Sequence, residues 1–139
     1  QSGHSEVLSR MNRGYTREEY LEKVALIQEL IPGVSLSTDI IVGFPGETED
    51  DFMATYDFLK NLDISYLHVF TYSERPDTNA ITLPGSVDVF ERKRRTNMLR
   101  ILSDKKKKAV IFPMREYWID IGKVEALQQA DEEFKKVFK

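Results

Sequence analysis

An α/β fold of parallel βα units, followed by a short β-plus-α tail, is predicted by three observations. Two helix-period apolar stripes open on capping signals at Thr16 and Thr48. Two runs rich in β-branched and aromatic residues, over 34–42 and 64–72, alternate with them. The resulting order of helix, strand, helix, strand and helix suits right-handed crossover connections and not hairpins.

Each element has a local cause. In Thr16-Arg17-Glu18-Glu19 the Thr16 hydroxyl can accept from the Glu19 amide while the Glu19 carboxylate returns to the Thr16 amide, so a helix starts there. Tyr20, Val24, Ile27 and Ile31 give it one apolar stripe, and Pro32-Gly33 should stop it. The strand over 34–42 ends in the unbroken run Ile40-Ile41-Val42, the pattern of a strand buried on both faces. Gly43-Phe44-Pro45-Gly46 ends it.

Thr48 caps a second helix, with Glu49, Asp50 and Asp51 at its positive end and Phe52, Tyr56, Leu59 and Leu62 as the buried stripe. After the strand over 64–72, residues 73–86 hold two prolines and a glycine and read as a loop of the length that carries function. A third helix is expected from about 87 to 107, burying Phe90, Met98, Ile101 and Leu102, with its lysine run complementing its own C-terminal dipole. Past residue 108 the pattern restarts with a β-rich stretch over 109–122 and a helix carrying Val124, Leu127, Phe134 and Phe138, so a boundary falls near 108.

Composition bounds the function. At 139 residues, 41% hydrophobic and 31% charged, the chain is about one domain of ordinary globular composition, which excludes collagen-like, low-complexity and wholly disordered readings. No window approaches the roughly 18 consecutive apolar residues of a membrane span, and no signal-peptide pattern opens the sequence, so a soluble, cytoplasmic protein is expected. Zero cysteines exclude a disulfide, a thiolate zinc site and a cysteine-ligated iron–sulfur cluster within this chain.

Charge is uneven. Residues 1–87 carry 6 basic against 14 acidic groups, whereas residues 88–108 carry 9 basic against 3 acidic. A basic helix beside an acidic body could steer phosphate-bearing partners such as RNA, or it could be a solvated helix face. His4 and His68 read as structural, and Tyr56, Tyr66, Phe70 and Tyr72 as core or barrel aromatics.

The segment Gly43-Phe44-Pro45-Gly46-Glu47-Thr48 lies after a strand, where parallel α/β proteins collect ligands, and Asp39 sits in the strand that feeds it. By itself it is equally a tight strand-to-helix turn.

Larger motifs add a resemblance. Gln1-Ser2-Gly3, the run from Val7-Leu8-Ser9-Arg10-Met11-Asn12-Arg13-Gly14-Tyr15 to Thr16, the run from Ser37-Thr38-Asp39-Ile40 to Gly43-Phe44-Pro45-Gly46-Glu47-Thr48, and Phe70-Thr71-Tyr72-Ser73-Glu74-Arg75-Pro76-Asp77-Thr78 closely resemble the radical S-adenosylmethionine methylthiotransferases. The resemblance extends to about Lys108. It implies an incomplete TIM-like barrel, and a parent enzyme that adds a methylthio group to adenosine of tRNA beside the anticodon, or to a ribosomal protein, with S-adenosylmethionine and two [4Fe-4S] clusters. Residues 68–73 look most like the branch acting on threonylcarbamoyl-adenosine.

By the same resemblance Arg13 contacts the cofactor carboxylate, a role suited to a two-pronged guanidinium, and Ser2, Ile41 and Gly43 lie along the cofactor groove. The family's cysteine triad is absent, so the chain alone is expected to be inactive. A partial barrel exposes sheet edges and invites self-association. The tail differs: Trp118-Ile119-Asp120-Ile121-Gly122 and its surroundings resemble the C-terminal end of sugar-phosphate nucleotidyltransferases, in which Asp120 would help hold a magnesium ion. Two domains are therefore expected, 1–108 a partial radical S-adenosylmethionine barrel and 109–139 a nucleotidyltransferase-like tail. The rival readings are a non-catalytic binding or structural fragment and a nucleotidyltransferase-derived piece.

Overall fold

A computed structural model describes residues 1–106 together with Ala130 and Phe134. The chain divides into two units, Gln1–Lys108 and Ala109–Lys139. The elements of the first unit are α1 (Ser5–Arg10), α2 (Arg17–Leu30), β1 (Ser37–Val42), α3 (Glu49–Asn61), β2 (Tyr66–Thr71) and α4 (Val89–Lys106), with a 3₁₀ turn over Asn79–Thr82. Strands β1 and β2 pair in parallel, Asp39 opposite His68 and Ile41 opposite Phe70. The α/β class and the crossover through α3 are therefore as the sequence predicts. Among the described residues no helix is long and apolar enough to cross a membrane.

Both capping boxes form. Thr16 Oγ1 accepts from the Glu19 amide at 3.2 Å while Glu19 accepts from the Thr16 amide at 2.7 Å. Thr48 and Asp51 repeat the exchange at 3.1 and 3.0 Å. On α3 the predicted stripe is the core: Phe52, Leu59 and Leu62 are buried against Ile40, Val42, Leu67, Leu99 and Leu102, with Tyr56 half-buried beside them. Each such side chain contributes about 1.5–3 kcal/mol through removal from water.

Other expectations fail, each for a physical reason. The strand β1 is buried on one face only: Ile40 and Val42 lie under the helices, whereas Asp39 is exposed and Ile41 half-buried on the other side. An apolar run cannot say whether its second face meets protein or an open cavity. Along α2 only Val24 of the predicted stripe is buried; Ile27 and Ile31 remain exposed, as do Leu26 and Leu30. The short helix α1, which buries Val7 and Leu8, has no strong cap or period to announce it.

Helix α4 turns a different face inward. Phe90 is 80% exposed and Ile101 48%, while Arg92, Arg95, Thr96, Leu99, Leu102 and Ser103 are buried. The reason is that partners await those polar groups: the Leu67 amide donates to Ser103 Oγ at 2.9 Å, and the Thr71 and Thr96 hydroxyls meet at 3.1 Å. Nor does the lysine run serve only its own helix. Lys106 Nζ donates to the carbonyls of Lys60 and Leu62 and so satisfies the C-terminal end of α3.

Candidate functional site

An open cavity of about 600 Å³ lies on the exposed face of the sheet, beside its carboxyl ends. The cavity wall takes Ile41 and Asp39 from β1, Phe70 and Thr71 from β2, Phe44 from the loop after β1, and Tyr72, Ser73, Arg75 and Thr78 from the loop after β2. Met11 and Arg13, from the turn after α1, complete it. Strand alternation explains the gathering, because Asp39, Ile41 and Phe70 project opposite to the core-facing Ile40 and Val42.

Of the four residues the sequence assigns to a cofactor groove, Arg13 and Ile41 line this cavity. Ser2 and Gly43 are not among its lining residues. The Ser2 hydroxyl is buried 3.1 Å from Thr55 Oγ1 and accepts from the His4 amide, which ties the first residues to α3. Gly43 acts through its backbone: its φ is +78°, and a Cβ there would collide with Arg92 Cγ. Its amide donates to Glu47 Oε2 at 2.7 Å. Glycine is needed both for the positive φ and for the passage of the arginine.

Sequence reasoning left Tyr72, Phe70 and Arg75 without a ligand-facing role, although the unusual length of the 73–86 loop was a signal. The Tyr72 hydroxyl is buried with no hydrogen-bond partner among the described residues, while its ring meets Phe44 edge-on at 5.3 Å. The Arg13 side chain makes no ion pair or hydrogen bond with another described residue, so its guanidinium is available to an anion. Neither histidine lines the cavity: His4 Nδ1 lies 3.5 Å from Asp51 Oδ1 without a hydrogen bond, and His68 stands edge-on to the Tyr66 ring.

The basic block of α4 is mostly committed inside the molecule. Arg95, nine-tenths and more buried, donates to Glu47 Oε2 at 2.9 Å, Glu91 at 2.9 Å and Glu49 at 3.1 Å, with its guanidinium over the Phe52 ring. Arg94 pairs with Glu49 and Glu91. Burial pushes the Glu47 carboxyl above its usual range against the pull of the Gly43 amide and Arg95. The hydrogen bonds from Arg94, then Arg95, hold Glu91 down at about 2. The donors of Arg92, Arg94 and Arg95 are thus met by protein acceptors, so these three arginines belong to the internal framework of the unit.

The arrangement suits S-adenosylmethionine and does not suit an iron–sulfur cluster. One free guanidinium, an acidic side chain and apolar walls fit a nucleoside that carries a carboxylate. The sequence has no cysteine, and among the described residues no cluster of three or more His, Cys, Asp or Glu side chains could hold a metal.

The fold is that of an α/β unit with parallel strands, and the Radical SAM superfamily, whose fold is TIM-like, matches residues 1–59. The threonylcarbamoyladenosine tRNA methylthiotransferase of Aquifex aeolicus is 50% identical over 107 residues, 77% of this chain and 26% of that protein. Its counterpart from Bacillus subtilis is 39% identical over 133 residues, 96% of this chain and 30% of that protein. The tRNA-2-methylthio-N(6)-dimethylallyladenosine synthase of Desulfosudis oleivorans is 48% identical over 105 residues, 76% of this chain and 22% of that protein. The chain is similar to radical S-adenosylmethionine methylthiotransferases over most of its length, and it spans less than a third of the length of these relatives.

Proposed function

We propose that residues 1–108 form part of the S-adenosylmethionine groove of a tRNA methylthiotransferase. The observation that carries the reading is the unpaired Arg13 side chain beside Ile41 in the wall of a nucleoside-sized cavity at the carboxyl ends of two parallel strands. Arg13 grips the cofactor carboxylate with two parallel hydrogen bonds. Asp39 accepts from the ligand's hydroxyl or ammonium groups, and Ile41, Phe44, Phe70 and the Tyr72 ring exclude water from the base. Gly43 and Ser2 serve at one remove, the first by letting Arg92 pass behind the loop and the second by anchoring the residues that lead into α1. When bound, the cofactor supplies the radical chemistry of the superfamily.

The substrate is adenosine in tRNA, a reading supported by the names of the relatives; its place near the anticodon rests on the motif resemblance, and the threonylcarbamoyl-modified form is favoured by residues 68–73. Because this sequence carries no cysteine, the chain by itself holds no thiolate-ligated cluster and does not carry the reaction through. Its partners are therefore the cofactor and tRNA, with self-association through open sheet edges.

The stretch 109–139, with Asp120, lies outside the described residues apart from Ala130 and Phe134. Its likeness to nucleotidyltransferases supports a separate tail. The alignment with the Bacillus subtilis relative takes in 133 residues and so continues beyond Lys108, which supports a second reading of the tail as a continuation of the methylthiotransferase.

Calorimetric titration of the 139-residue chain with S-adenosylmethionine tests the main reading. Saturable binding, weakened about tenfold or more in Arg13→Ala through loss of a charge-assisted contact, is expected. Absence of binding, or equal binding by the variant, would overturn it.

A further inference from the structure

Arg92 makes four side-chain hydrogen bonds from one position of α4, and no ligand role explains them. It is 4% exposed on α4, yet its side-chain hydrogen bonds all lead to loops. Its Nε donates to the Val87 carbonyl at 2.7 Å and its Nη1 to the Tyr72 carbonyl at 3.1 Å. Nη2 donates to Glu74 Oε1 at 2.5 Å and to Ser86 Oγ at 3.2 Å. The guanidinium also lies over the Tyr72 ring, 5.3 Å from its centroid, and the Arg92 alkyl chain crosses the face of Gly43 that has no side chain.

These partners bracket the segment 73–86, whose first part, with Tyr72, forms one wall of the cavity through Ser73, Arg75 and Thr78. The segment has little else to hold it: it contains one 3₁₀ turn, and nearly all of its residues are exposed. One backbone hydrogen bond, from the Gly46 amide to the Gly85 carbonyl at 2.7 Å, ties its far end to the loop after β1. A planar donor fork is the side chain that can reach four acceptors at once from one helical position, and a lysine ammonium cannot reproduce that geometry.

We propose that Arg92 is a positioning residue: it fixes both ends of the 73–86 loop and aims the Tyr72 ring, so that this wall stands ready before ligand arrives. Its importance for cofactor binding rests on the function proposed above, whereas its hold on the loop does not. The contact with Glu74, which keeps that carboxyl below the usual range, is the exposed part of the clamp and Gly43 its buried part.

Hydrogen–deuterium exchange on the 139-residue chain tests this, comparing wild type with Arg92→Lys, Arg92→Gln and Glu74→Gln. Arg92→Gln should speed exchange of the 73–88 amides by about tenfold or more, while Ile40–Val42 of β1 and Leu99–Ser103 of α4 keep their protection. Arg92→Lys should fall between, and Glu74→Gln, a surface change that leaves the buried contacts intact, should speed only the residues next to Tyr72. Unchanged loop exchange in both Arg92 variants overturns the proposal. Acceleration spread evenly through β1, β2 and α4 also overturns it, because Arg92 would then hold the fold and not the wall; if Arg92→Gln does not fold, Glu74→Gln decides on the same criterion. Titration with S-adenosylmethionine runs alongside: if the wild type binds none while the loop responds as expected, the proposed function falls and the positioning role stands. If it binds, Arg92→Gln should lose about tenfold in affinity without change at Arg13.

Discussion

The two faces of the β1–β2 pair are made by the same two strands and have opposite characters. On one side Ile40, Val42 and Leu67 are all but inaccessible beneath Phe52, Leu59, Leu99 and Leu102. On the other, Asp39, Ile41 and Phe70 face a cavity, and Phe70 is 52% exposed. The lesson is that stability and recognition are separated by a single step along the strand, because successive side chains point to opposite faces. Helix α4 carries both: its Leu99 and Leu102 belong to the packed side, while Arg92 and Arg95 reach around to hold the loops that frame the cavity.

Changes on the packed side should be the costliest. Phe52→Ala is expected to remove about 3–5 kcal/mol in urea unfolding, since it empties a fully buried site and strips the ring from under Arg95, whereas Phe70→Ala on the cavity side should cost less than about 1 kcal/mol. Equal losses at the two positions would break the comparison. Arg95→Met should cost about 3–5 kcal/mol by leaving the Glu47 carboxylate buried without its cation. The double variant Glu47→Leu with Arg95→Met should recover part of that loss, and a purely additive result would show that the pair is not coupled.

Gly43→Ala sits between the two regions and should lower stability by about 1–3 kcal/mol, measured as a shift of the thermal midpoint, because a Cβ meets Arg92 and the positive φ is strained. Glu91 gives a smaller, pH-dependent effect. Its carboxyl titrates at about 2 in the folded chain against 4.5 ordinarily, so the stability it adds is complete above about 4.5 and is lost as the pH falls toward 2. Glu91→Gln should flatten that acid limb by lowering the curve modestly at neutral pH, where the exposed pairs act, and the two curves should meet as the pH falls toward 2. Smallest of all, Arg13→Ala should move stability by no more than about 0.5 kcal/mol while weakening cofactor binding, and a large loss of stability would show that Arg13 belongs to the packing and not to the site.

Helix starts were legible in the sequence because capping is local: Thr16 and Thr48 find their partners three residues on. The inward face of α4 was not, because the hydrophobic pattern favoured Phe90 and Ile101 while the burial went to Arg92 and Arg95. Their acceptors come from distant segments, Glu47 lying 48 residues from Arg95. The site divided in the same way. Arg13 and Ile41 were legible through motif resemblance and do line the cavity, whereas Ser2 and Gly43, in the same motifs, turn to Thr55, Glu47 and Arg92.

What the amino-acid order alone determined is therefore the α/β class, the capped starts of α2 and α3, the core stripe of α3 and the absence of any thiolate ligand. Each depends on interactions within a few residues or on composition. Tertiary structure alone decided that one face of an apolar strand lines a cavity and that an arginine-rich helix face is interior. Both outcomes turn on which groups from remote segments arrive opposite, and a buried guanidinium is stable only where such acceptors have been brought to meet it.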